Sequence, residues 1–356
     1  MNIALITIWH IGNYGAEMQA YATYKALKML GHTVSLVDFR LDDSKNVSTR
    51  IKIIKKIERI TPSYLKFKHF WKKCFNNDVV RYTSLDELRN NPPIADMYLV
   101  GSDQVWNESI TRDKGPLYFL DFGDNATFRA SFSSSIGTNQ WNSSNYLKEI
   151  AKKRLKTFCG ISCRELTAVE VIKKEFEVDH VYNTLDPTLL FLNYDEITGI
   201  IQERRTLAYY PLHADDVRLI PLCNKLSKKL DLELYNVNPY TNIPFTNLTW
   251  NRNSVNKWIR SIAESNFVVT QSFHGMAFSL IYQKQFIVIN ISNNGRQSRI
   301  IDLLKLLNLE ERYFNSIEEA SNIDFTKNII NYEDVNNRLN VLRAKSFEYL
   351  KMITSL

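Results

Sequence analysis

The chain opens on NIALITI at residues 2–8, a short apolar run that predicts a strand buried on both faces of a parallel sheet. A turn, His10-Ile11-Gly12-Asn13-Tyr14-Gly15, leads into residues 16–30, where Met18, Tyr21, Ala22, Ala26 and Met29 recur at helical spacing. Gly31-His32 closes that helix as a C-terminal glycine should, and TVSLVDF follows as the next strand. A strand–turn–helix–strand unit of about forty residues is the usual opening of a doubly wound α/β domain.

The same alternation continues. Residues 50–77 read as helical, 96–107 as a strand running into a polar loop, and 126–138 as a strand followed by a Ser-rich loop. A helix is expected over 144–157, a strand and turn over 158–165, and a helix over 167–176. A strand near 180–183 stops at Asp186-Pro187, because proline cannot continue regular structure. The second half predicts strands at 206–210, 231–237, Asn266–Thr270 and Phe286–Ile291. Helices alternate with them at 214–230, Trp250–Glu264, Gly275–Tyr282 and 299–308, and the last 25 residues form an amphipathic helix. The pattern predicts an α/β protein with two Rossmann-like, doubly wound domains facing a cleft. Residues 1–195 would form the first domain, with a basic helical insertion at about 45–80, and 196–330 the second. Residues 331–356 would be a helix packed on the body.

Composition changes this picture in one place. The formal charge of the 356 residues is +7, but residues 50–73 alone hold nine Lys or Arg against Glu58, so the remainder carries −1. The excess is a patch, interleaved with Phe67, Phe70, Trp71 and Phe75. It suits an anionic lipid surface, a lipid diphosphate or a polyanion; the competing reading is a solvated helix face over an aromatic core stripe. No nucleic-acid module surrounds it, so nucleic acid is not expected as a partner. The four cysteines, at 74, 159, 163 and 223, lack metal-ligand spacing and read as reduced thiols. MNIALITIWH lacks the basic start and long apolar run of a signal peptide, and no stretch reaches the ~20 apolar residues of a membrane span. The expected location is cytoplasmic, with contact through residues 50–77 to the inner face of a membrane as a candidate association.

Several strand ends carry chemistry. Ser272, His274 and Gly275 follow the apolar run FVVT and precede a helix. Free backbone N–H groups at such a helix start favour anions, and imidazole there suits general acid–base work; a core histidine is the bland alternative. Arg164 follows the strand ISC, where a guanidinium can hold carboxylate or phosphate, or simply pair with Glu165. Asn13 and Gly15 sit in the first turn, which binds an anion or sugar or is only a tight turn. Ser102 and Asp103 lie in the polar loop, where Asp103 either meets a sugar hydroxyl or ties the loop to its own backbone. Trp106 is a candidate to stack on a sugar. Neither a dinucleotide fingerprint nor a phosphate loop is present, and no ligand set calls for a metal.

Five ordered blocks together resemble the polysaccharide pyruvyl transferase family. They are Asn13-Tyr14-Gly15-Ala16 with Gln19-Ala20-Tyr21-Ala22, Gly101-Ser102-Asp103-Gln104-Val105-Trp106-Asn107, Ser162-Cys163-Arg164-Glu165, Asp186-Pro187-Thr188-Leu189-Leu190, and Ser272-Phe273-His274-Gly275 with Phe278-Ser279. The resemblance implies a fold similar to the B-type glycosyltransferases, phosphoenolpyruvate as donor substrate with no separate cofactor, and a carbohydrate acceptor. It implies His274 as the catalytic residue and Arg164 as donor-binding, with Arg299 or Arg296 as the second basic group. Cys163, Gln271, Met276 and Gln285 depart from the family's commoner residues without removing a reacting group. Two rival readings share this fold: a sugar-nucleotide-dependent glycosyltransferase, and a non-catalytic carbohydrate- or lipid-binding protein.

Overall fold

The computed structural model describes the chain apart from residues 41–48, 76, 212–216, 243–248 and 292–296. Two five-stranded parallel sheets organise it. The first contains β1 (Asn2–Ile6), β2 (Thr33–Phe39), β3 (Val79–Tyr82), β4 (Met97–Val100) and β5 (Phe128–Ser131), in the order β3-β2-β1-β4-β5. A small parallel pair, β6 (Ile161–Cys163) and β7 (Val181–Asn183), extends its far edge through isolated bridges from Ala130 to Gly160 and from Ser134 to Cys163. The second sheet contains β8 (Thr206–Tyr210), β9 (Glu233–Asn236), β12 (Phe267–Thr270), β13 (Gln285–Ile289) and β14 (Tyr313–Phe314), in the order β14-β13-β12-β8-β9. Between β9 and β12, the short antiparallel pair β10 (Thr241–Asn242) and β11 (Thr249–Asn251) forms an excursion.

Each sheet changes winding direction once, between β1 and β4 in the first and between β8 and β12 in the second. Crevices open at the carboxyl ends of strands where this happens. Both crevices are tied by a threonine. Thr7 Oγ1 donates to the Ser102 carbonyl and Thr270 Oγ1 to the Tyr210 carbonyl, each at 2.8 Å.

One helix at each switch point, the one after β1 and the one after β12, is capped as its sequence suggests. Asn13 Oδ1 accepts from the N–H groups of Gly15 and Ala16 and starts the helix Tyr14–Met29. Ser272 Oγ accepts from Gly275 N and starts Phe273–Ile281, two residues earlier than the apolar spacing indicated. Each cap is worth about 1 kcal/mol. The helix expected over Trp250–Glu264 begins only at Val255. Thr249–Asn251 is strand, and Ser254 caps the helix by accepting from Lys257 N.

One apolar cluster crosses from sheet to sheet. Tyr14 stacks on Trp258 with ring centroids 5.1 Å apart and leans on Phe67 of the insertion. The insertion is two helices, Thr49–Ile60 and Pro62–Phe75; Phe67, Phe70, Trp71 and Phe75 are buried, so its aromatic stripe is core. The final helix, Tyr332–Thr354, returns to the first half: Arg343 Nε donates to the Leu189 carbonyl, Leu185 N to Ser346 Oγ, and the Tyr349 hydroxyl to the Ser131 carbonyl. Among the described residues no helix is long and apolar enough to cross a membrane.

Candidate active site

His274 is the second residue of the helix that leaves β12. Its ring reaches across the cleft to the first domain. A methyl carbon placed on Gly15 would lie 2.0 Å from His274 Nδ1, so the imidazole packs directly on the Gly15 backbone. On its other side, Nε2 is buried without a hydrogen-bond partner and lies 3.7 Å from Asp186 Oδ2.

Asp186 is the hub. Its Oδ1 accepts from Thr188 N and Oγ1, while Oδ2 accepts from Arg164 NH1 at 2.8 Å and Ser102 Oγ at 3.2 Å. Burial would raise its pKa, but His274, Arg164 and the Thr188 hydroxyl outweigh burial and hold the carboxyl well below the usual carboxylate range. In the sequence Asp186-Pro187 marks only the stop of a strand and one block of the family resemblance.

Arg164 is enclosed. Besides Asp186 it donates to Asp103 Oδ1 at 3.2 Å and Glu165 Oε1 at 3.3 Å, with its side chain 1% exposed. Burial alone would lower its pKa; Glu165, Asp103 and Asp186 together raise it. Glu165 in turn accepts from the Ser135 hydroxyl, keeps Oε2 buried and unpartnered, and has its pKa raised by burial against the pull of Arg164. Arg164 is therefore a charge already balanced by three carboxylates, and less free to take a ligand than its sequence position suggested.

Arg299 differs. It sits in the first turn of the helix Ser298–Leu307, its Nε is buried without a partner, and its NH1 is 3.9 Å from Asp103 Oδ1. Burial and repulsion from Arg164 bring its pKa down to about 10. Phe273 underlies both cations, with ring-centroid distances of 5.1 Å to Arg164 and 5.7 Å to Arg299. Such contacts hold guanidinium planes without using their N–H groups. Arg296 lies outside the described residues.

The remaining expected site residues take positions around this core. Asp103, at φ 73°, pairs with Arg164 and also accepts from Gln104 N, so the loop-tying role and a site role coexist. Asn13 spends its carbonyl oxygen on the helix cap, and Ser272 does the same with its hydroxyl. Gly275 is a packing glycine: a methyl there would meet Thr270 Oγ1 at 2.4 Å. Trp106 is not a sugar platform. It is 1% exposed, stacked on Phe119, and its Nε1 donates to the Tyr118 carbonyl. The turn 10–12 does not offer its N–H groups to a ligand either. Glu17, buried in the following helix, accepts from His10, Ile11 and Gly12 N and from Trp71 Nε1.

The arrangement can do acid–base chemistry. It places an imidazole with an open Nε2, an ionised carboxylate beside it and an under-coordinated guanidinium at the carboxyl ends of two sheets.

In overall shape the chain is similar to a putative UDP-N-acetylglucosamine 2-epimerase from Listeria monocytogenes, at 11% identity over 97% of this chain and 96% of that one, TM-score 0.45. It is also similar to UDP-GlcNAc 2-epimerase from Neisseria meningitidis bound to UDP-GlcNAc, at 11% identity over 97% and 99%, TM-score 0.47. An alpha-glucosyltransferase in complex with UDP gives 10% identity over 99% and 96%, TM-score 0.45. These likenesses add nothing to the two strand orders, which define the paired Rossmann-like architecture by themselves. No curated protein matches the sequence. The model of one family, polysaccharide pyruvyl transferase, matches residues 13–293. That span runs from the cap of the first helix through Asp186 to His274 and beyond, most of the chain, and on it the chain belongs to the polysaccharide pyruvyl transferase family.

Proposed function

We propose that the protein moves the pyruvyl group of phosphoenolpyruvate onto two hydroxyls of one sugar, forming a cyclic ketal and releasing phosphate. The observation that carries this is the grouping of His274 Nε2, Asp186 and Arg299 in one crevice of a chain of this family. Phosphoenolpyruvate needs a cation for its carboxylate or phosphate, and Arg299 has an unmatched Nε donor. Arg164 acts with it mainly by fixing Asp103 and Asp186.

In the reaction, a proton adds to the enol methylene and carbon 2 becomes electrophilic. A sugar hydroxyl adds there and gives up its proton. The carbon–oxygen bond to phosphate then breaks, phosphate leaves with its electron pair, and a second hydroxyl closes the ketal with loss of its proton. His274 delivers the first proton and collects one from an attacking hydroxyl. Asp186, kept ionised by its own partners, faces the imidazole as its charge changes. The Phe273–Ile281 helix starts at this point, and its first N–H groups favour the anion. The acceptor is read as a sugar of a surface polysaccharide or its precursor; contact of the insertion with a membrane is part of the same proposal.

The test is incubation with phosphoenolpyruvate and candidate acceptors, reading inorganic phosphate and the mass of a pyruvate ketal. His274→Ala should keep its circular dichroism and thermal transition and lose ketal formation. Normal turnover by that variant would falsify the role given to the imidazole.

A further inference from the structure

Arg164 and Arg299 come from different domains and carry like charges, yet both lie over the Phe273 ring, at 5.1 and 5.7 Å from its centroid. Asp103 is within reach of both, at 3.2 Å from Arg164 NH2 and 3.9 Å from Arg299 NH1. Arg164 has two further carboxylates to hold it, Glu165 and Asp186. For Arg299, burial and the repulsion from Arg164 both act against the charged form. Charge pairing alone therefore does not explain why Arg299 stays beside Arg164.

A bond between the domains does. Asp302 stands three residues after Arg299 on the helix Ser298–Leu307, so the two are neighbours on its surface. Asp302 Oδ2 accepts from Thr167 N at 3.1 Å and from Thr167 Oγ1 at 2.9 Å. Thr167 is the second residue of the helix Leu166–Phe176, which begins directly after Arg164-Glu165. One carboxylate thus ties the segment that carries Arg164 to the helix that carries Arg299.

The local sequence leaves that place open. Glu165 occupies the cap position of Leu166–Phe176 but makes no side-chain bond to the helix, because its Oε1 takes Arg164 and Ser135 instead. Asp302 supplies the missing cap from across the cleft, and a negative charge suits a helix start. The rest of the Ser298–Leu307 helix is held by Ile300, Leu303, Leu304 and Leu307, which are buried in the apolar cluster that joins the two halves. Apolar packing is non-directional, whereas two hydrogen bonds to one oxygen fix how the helix is turned.

We propose that Asp302 is a positioning residue for donor binding: through Thr167 it holds the Arg299 helix against the Arg164 segment, so that the Arg299 guanidinium faces the donor anion. Asp302 itself touches no reacting atom. The inference rests on the pyruvyl-transfer reading only for the identity of that anion.

The experiment is calorimetric titration of the full chain with phosphoenolpyruvate and, separately, with inorganic phosphate, both without acceptor. Asp302→Ala should weaken both anions about fivefold, the factor to which a lost helix cap converts. Removing a negative charge near the site would by itself tighten anion binding, so weakening carries the sign of lost positioning. Asp302→Asn, whose amide oxygen accepts the same two bonds, should bind at least as tightly as the wild type. In the Arg299→Ala background, Asp302→Ala should cost no further affinity, since the group it positions is already gone. Should Asp302→Ala not fold, Thr167→Val deletes the hydroxyl bond, keeps the amide one and should weaken both anions about two- to threefold. Unchanged affinity in the folded variants, a loss as large in Asp302→Asn as in Asp302→Ala, additive losses with Arg299→Ala, or a wild type that binds neither anion overturns the proposal. Phosphate binding that follows residue 302 in a protein that never releases phosphate from phosphoenolpyruvate would sink the pyruvyl-transfer reading and leave the positioning role standing.

Discussion

Gly15 in the first domain forms the seat for the His274 imidazole of the second: a methyl carbon on Gly15 would stand 2.0 Å from Nδ1. The two sheets therefore meet at the one group best placed to move protons. Glycine is needed there for closeness, since the position is helical and an alanine would suit the backbone.

Gly15→Ala should push the buried imidazole aside by more than about 1 Å, at an overpacking cost of about 1–3 kcal/mol. Such a misplacement costs on the order of a hundredfold in rate. Comparing kcat with the thermal midpoint checks this; unchanged turnover would show that the ring position does not matter.

The two arginines should separate cleanly. Arg164→Ala strands Asp103, Glu165 and Asp186 in a buried cluster, and loss of one partner from such a group costs about 3–5 kcal/mol. Arg299→Ala removes a guanidinium whose Nε has no partner, so it should raise KM for phosphoenolpyruvate tenfold or more with little change in denaturation midpoint. The opposite ordering in urea titrations and donor kinetics would reverse the roles given to the two residues.

Glu17 gives a pH signature. Burial pushes its pKa up to about 7, against hydrogen bonds from Trp71 and from the N–H groups of His10, Gly12 and Ile11. The unfolded value is ~4.3, so between about 4.3 and about 7 the folded state holds a proton that the unfolded chain has lost. Stability contributed by protonated Glu17 is complete below that window and is lost as pH rises through it. Relative to Glu17→Gln, the wild type should lose ~1.4 kcal/mol per pH unit across the window. Parallel stability curves for the two proteins would contradict this assignment.

Much of the architecture was legible because its signals are local. NIALITI, the first turn and the helix behind it announce a Rossmann opening, and FVVT followed by Ser272 announces a second strand–turn–helix. The short edge strands β3, β10, β11 and β14 were not legible, since two to four residues carry no period and pairing alone defines them. The site divides in the same way. His274 and Arg164 stand out at strand ends, and they come together through Asp186, which accepts from Arg164 and lies 3.7 Å from the imidazole. That carboxylate is 22 residues from Arg164, and nothing local in the sequence signals the contact. Glu17 is an acidic residue in the first turn of the first helix. It is buried because its carboxylate folds back onto the preceding turn, a contact that apolar periodicity does not encode.

The return of the Tyr332–Thr354 helix to Leu185, Leu189 and Ser131 has a consequence for biosynthesis. During synthesis the first sheet must wait for residues 332–354 before its backbone groups find all their partners. A stop codon ahead of residue 332 would therefore injure a portion made well before it, and a nascent chain stalled just short of this helix would expose that portion to chaperones and proteases.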